Sequence, residues 1–91
     1  MKLNVHVIIS GRVQGVWFRA NTKQKAEQLG LTGWVRNTSN GCVEAVFEGK
    51  ERLIKEMIEW CNTGPSLAKV EKVEVKNQNL IEGFDGFSIR Y

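Results

Sequence analysis

Apolar residues fall on the odd positions Leu3, Val5, Val7 and Ile9, with Asn4 and His6 between them. A period of two with one buried face predicts a first strand over 3–9. Ser10 to Gly15 then breaks the run with two glycines. Beyond it Phe18, Thr22, Ala26 and Leu29 recur at four, four and three residues, the spacing of one helix face. Gly30 stands where a left-handed residue would stop that helix.

The next two segments, 31–37 and 41–48, read as a hairpin. The intervening Thr38-Ser39-Asn40-Gly41 carries an Asn-Gly pair that tolerates positive φ, and Val43, Ala45 and Phe47 are assigned to the inner face. Gly49 ends the pattern. From Glu51 to Cys61 the residues Leu53, Ile54, Met57, Ile58, Trp60 and Cys61 form one apolar stripe, predicting a second helix that Gly64-Pro65 terminates. Lys50, just before it, brings no capping oxygen. Ala68, Val70, Val73 and Val75 change parity between Val70 and Val73, which points to a bulge in a fourth strand. Phe87, Ile89 and Tyr91 predict a short last strand.

The order β, α, β, β, α, β with a terminal β is that of a split βαβ sandwich: one antiparallel sheet with both helices on one face. No repeat or low-complexity run divides it, so residues 1–91 are read as a single domain.

Composition narrows the chemistry. The 91 residues hold 13 Lys and Arg against 10 Asp and Glu, interleaved to a net charge of +3. That balance is too mild to argue for nucleic acid. The longest apolar stretch, Val5 to Ile9, is too short for a membrane span, and no leader pattern precedes the first strand, so a cytoplasmic protein is expected. Two cysteines, Cys42 and Cys61, supply neither a disulfide scaffold nor a zinc site, and they are expected on opposite sides of the sheet without a bond between them. His6 is the only His and Asp85 the only Asp. Metal clusters, Ser-His-Asp triads and paired-Asp sites are excluded; His6 reads as a surface imidazole.

The suggestive segment is Gly11-Arg12-Val13-Gln14-Gly15-Val16-Trp17-Phe18-Arg19, a glycine-containing loop that opens directly into a helix. Amides of such a loop and of a helix's first turn can hold an anion. Arg19 in that first turn opposes the helix dipole unless an anion is bound. The alternative is that Gly11 and Gly15 only shape a connection and that Arg12 and Arg19 are solvated; the residues alone leave both open. In the predicted topology the first two strands run parallel with the third between them. Asn37 would then end its strand on the same edge of the sheet, roughly 10 Å from the loop by backbone.

Gly11 to Arg19, Gly33-Trp34-Val35-Arg36-Asn37 and Gly41-Cys42-Val43-Glu44 resemble the two signature segments of the acylphosphatases, in the same order and at the same spacing. Gly64-Pro65 and the closing Phe87-Ser88-Ile89-Arg90-Tyr91 extend the resemblance over nearly the whole chain. It implies a ferredoxin-like fold and a metal-independent, cofactor-free hydrolysis of acyl phosphates, releasing a carboxylate and inorganic phosphate. The catalytic pair falls on Arg19 and Asn37, and the phosphate-binding loop on Gln14, Gly15, Val16, Trp17 and Phe18. Inorganic phosphate is expected as product or inhibitor, the chain as a monomer, with no nucleic-acid or membrane partner. The bulk of Trp17 either narrows the choice of acyl group or packs on the loop.

The other class considered is a non-catalytic binding or regulatory domain on the same fold. RNA-recognition domains need exposed aromatic and basic residues on the two central strands, where this chain offers Asn4, His6, Ile8, Cys42, Glu44, Val46 and Glu48. A metal-delivery domain would need a cysteine pair in the first loop. A degenerate domain would not be expected to keep both Arg19 and Asn37.

Overall fold

Alternation of branched apolar residues with polar ones builds the centre of the sheet. In the computed structural model, which describes all 91 residues, the elements run β1 (Lys2–Arg12), α1 (Phe18–Gln28), β2 (Thr32–Asn37), β3 (Val43–Lys50), α2 (Glu51–Thr63), β4 (Lys69–Gln78) and β5 (Phe87–Ile89). Val5, Val7 and Ile9 of β1, Val43, Ala45 and Phe47 of β3, Phe18 and Ala26 of α1, and Ile54, Met57 and Cys61 of α2 share one core. Both helices therefore cover the same face. Trp60 closes the core edge-on against Phe18, with ring centroids 5.5 Å apart. No helix is long and apolar enough to cross a membrane.

The sheet order is β4-β1-β3-β2-β5. β1 and β2 each pair antiparallel with β3, so they run parallel to one another, and Asn37 and Ile9 both pair with Val43. The end of β2 is thus level with Ile9 of β1, two strands away and three residues before β1 ends. The expectation of an all-antiparallel sheet needs one correction: β5 pairs parallel with β2, Gly33 with Phe87 through Val35 with Ile89. Only three residues long, β5 gains its place by stacking Phe87 on Phe47, 5.6 Å between centroids. Tyr91 lies beyond it, outside the strand and 98% exposed.

The break anticipated at Ser10 is not the end of β1, which continues to Arg12. Its register on β4 shifts there, Ser10 pairing with Lys72 and Gly11 with Val70, so that Glu71 bulges from β4. A Cβ on Gly11 would collide with the Lys69 carbonyl oxygen. Glycine is what lets the bulged strand approach. Likewise β3 starts at Val43 and runs through Gly49 to Lys50. Helix α1 stops before Gly30, which takes the left-handed conformation (φ 71°). α2 has no side-chain cap, as Lys50 foretold.

The second correction concerns the other face of the sheet, where the polar positions of β1 and β3 are not simply wet. β4 and β5 lie at opposite edges, so residues 79–86 must cross from one to the other. Glu48, 4% exposed, receives the backbone N–H of Glu82 (2.6 Å) and Gly83 (2.8 Å) and the Asn4 carboxamide N–H (2.9 Å). Gln78 in turn donates to Asn4, which is fully buried. Burial alone would push the Glu48 carboxyl up. Donation by Asn4 and by the amides of Glu82, Gly83 and Phe84 outweighs it and holds the carboxyl below the usual carboxylate range. His6 is not a free surface imidazole either: it is half-buried and hydrogen-bonded to Glu44 at 2.6 Å.

Candidate active site

The loop between β1 and α1 is held by what it buries. Val13, Val16 and Phe18 all insert into the core, pinning the chain on both sides of Gly15. Gly15 (φ 74°) and Trp17 (φ 66°, ψ 20°) take left-handed conformations, and Trp17 is the only residue other than glycine with positive φ. These turns aim the peptide planes outward: the N–H groups of Gly15 to Ala20 find no acceptor within the chain. The Trp17 carbonyl is engaged, accepting from the Asn21 backbone N–H (3.1 Å) and carboxamide (2.8 Å). With no acidic residue in the first turn of α1, this end of the helix keeps its positive potential.

Arg19 sits where that potential is strongest, yet no carboxylate pairs with it among the ion pairs of the molecule. Its guanidinium rests 5.2 Å from the ring centroid of Tyr91. Asn37, at the end of β2, has a buried Oδ1 without any hydrogen-bond partner, the one such side-chain atom in the chain. Such an atom costs stability unless something binds it.

Arg19 and Asn37 line one cleft of about 280 Å³, together with Val13, Gly15, Trp17, Phe18, Ala20, Ile89 and Tyr91. Of the expected loop residues, Gly15, Trp17 and Phe18 reach this cleft. The side chains of Gln14 and Val16 do not: Val16 faces the core, and the Gln14 carboxamide donates to the carbonyls of Thr38 and Cys42, at 2.8 Å each. Sequence reasoning did not assign Ile89 and Tyr91 to the site. The parity of Phe87, Ile89 and Tyr91 was visible, but not that the last strand lies against β2, next to Asn37.

No Asp, Glu, His or Cys side chain lines the cleft. The cysteines are both free, and burial pushes the Cys61 thiol up to about 12, so it stays protonated. What the cleft offers is free amides and one guanidinium, a seat for an anion, lined on its other side by Asn37, whose Oδ1 is buried without a partner.

Comparisons with known proteins converge on one family. The profile of the family described as Acylphosphatase matches residues 5–89. A relative from Rubrobacter xylanophilus named acylphosphatase is 51% identical over 94% of this chain and 78% of its own. Among solved structures, the acylphosphatase from Bacillus subtilis superposes with a TM-score of 0.95 at 37% identity, covering 98% of this chain and 99% of that one. The acylphosphatase from Coxiella burnetii gives 0.94 at 42% identity, covering 98% and 93%.

Proposed function

The chain belongs to the acylphosphatase family, and from that premise we propose that it hydrolyses acyl phosphates with Arg19 and the loop amides on the phosphoryl group and Asn37 on the attacking water. The observation that carries this reading is the pairing, in one cleft, of an unpaired guanidinium with an unpartnered buried acceptor. A phosphoryl group takes the amides of Gly15 to Phe18 and two donors of the Arg19 fork, which match its oxygens in a plane. These donors stabilise charge that builds on the phosphoryl oxygens as the bond breaks.

Asn37 Oδ1 is an acceptor, so it holds one hydrogen of a water and leaves a lone pair to approach phosphorus. Attack expels a carboxylate, the conjugate base of an acid already strong enough to leave without protonation. A cleft without a general acid suits that leaving group and not an alkoxide. The proton of the water passes to a phosphate oxygen or to bulk solvent, and inorganic phosphate is released.

The test is hydrolysis of benzoyl phosphate beside an alkyl phosphate monoester. Turnover of the first alone is the expected result; equal turnover of both would mean that the site assists a poor leaving group and that this mechanism is wrong.

A further inference from the structure

Trp17 sits badly for a structural residue. A bulky side chain at φ 66° strains the backbone, which glycine would hold freely. Nor is it repaid in packing: the residue is 73% exposed and stands outside the core cluster. What Trp17 does is line the cleft, beside the loop amides.

The rest of that lining is equally one-sided. Apart from Arg19 and Asn37, both engaged by phosphoryl group and water, the side chains are those of Val13, Trp17, Phe18, Ala20, Ile89 and Tyr91. A second charge on the acyl group would find no partner there. At about 280 Å³ the cleft is many times the ~10–15 Å³ that one water needs on that measure, leaving room for an organic group beside the phosphoryl group.

Resting on the acylphosphatase reading, we propose that Trp17, with Ile89 and Tyr91, forms the subsite for the acyl group and makes the enzyme select uncharged aryl acyl phosphates over acetyl phosphate. A planar ring stacks on the indole and removes its exposed face from water, whereas a methyl group covers little of it.

Stable acyl phosphonates read this directly. Competitive inhibition by benzoylphosphonate and acetylphosphonate is measured on the wild type, Trp17→Gly and Trp17→Phe, alongside kcat/KM for the two acyl phosphates. The wild type is expected to favour the benzoyl compound, Trp17→Gly to lose about tenfold of that preference, and Trp17→Phe to keep most of it. Thermal unfolding checks that the variants fold, and Trp17→Asn, whose side chain tolerates the same backbone, repeats the measurement. An unchanged benzoyl-to-acetyl ratio in Trp17→Gly and Trp17→Asn overturns the subsite. If the wild type hydrolyses neither acyl phosphate, the functional reading itself falls; if it hydrolyses both and residue 17 leaves the ratio alone, only the subsite does.

Discussion

Gln14 is bonded to Thr38: its carboxamide donates to the Thr38 carbonyl at 2.8 Å, one residue beyond Asn37. A second bond to Cys42 fixes the same amide to the other arm of the turn. The anion seat and the end of β2 are thus tied by one side chain that lies outside the cleft. Gln14→Ala should cost about 1–2 kcal/mol in urea unfolding. It should lower kcat more than it weakens phosphate inhibition, because what is lost is the alignment between the two halves of the site.

Arg19→Lys keeps the charge and removes the fork. Inhibition by inorganic phosphate and turnover should both collapse, with unchanged circular dichroism. A Lys variant that binds phosphate as the wild type does would move the anchor away from Arg19.

Asn37→Ala should separate the two readouts. Loss of one preorganised group at the reacting water is expected to cost about 10² to 10³ in kcat, while the phosphate inhibition constant stays within about twofold, since other groups hold the anion. The substitution also deletes a buried acceptor that has no partner, so the thermal midpoint should not fall. A rate loss matched by an equal loss of phosphate affinity would make Asn37 a binding residue.

Chelation offers a further check. No Asp, Glu, His or Cys side chain lines the cleft, so turnover after treatment with EDTA should equal the untreated rate. Loss of activity that added Mg²⁺ restores would contradict the proposed division of labour between Arg19 and Asn37.

Glu48 predicts the acid limb of stability. Donation by Asn4 and by the amides of residues 82–84 holds its carboxyl below the usual carboxylate range in the folded chain, so the folded state binds the proton more weakly than the unfolded one. The stabilisation is complete above about pH 4.5 and disappears as pH falls through the lower folded value. Glu48→Gln should therefore be less stable than wild type at neutral pH, and the gap between their urea midpoints should narrow towards pH 3. A gap constant with pH would assign the effect to something other than the charge.

Much of this was legible in the chain because burying one face imposes a period, and β1, β3 and both helices show theirs. For Arg19 and Asn37, glycines before a helix start and a strand ending on the same edge marked the place, and only the resemblance to the acylphosphatases gave the two a catalytic role. What alternation cannot reveal is what covers the opposite face. Asn4 and Glu48 carry the polar letters of a solvated surface, and only the crossing of residues 79–86 turns them into a buried, satisfied network. The parallel docking of β5 was equally hidden, since three residues hold no record of a partner some fifty positions earlier. The left-handed backbone of Trp17 contradicts its residue type, and conflicts of that kind gather where a site needs them.

The place of β1 in the sheet bears on how the molecule assembles. Its two neighbours are residues 43–50 and 69–78, so that Asn4 waits for Glu48 on one side and Gln78 on the other. A nascent chain emits this strand early and completes its second edge only after most of the remaining residues have followed. Such distant pairings make for slow folding, and over that interval Leu3 to Ile9 is a sticky, unpaired template for other chains. The yield of active enzyme at high expression should then be limited by self-association during synthesis and not by the stability of the finished fold.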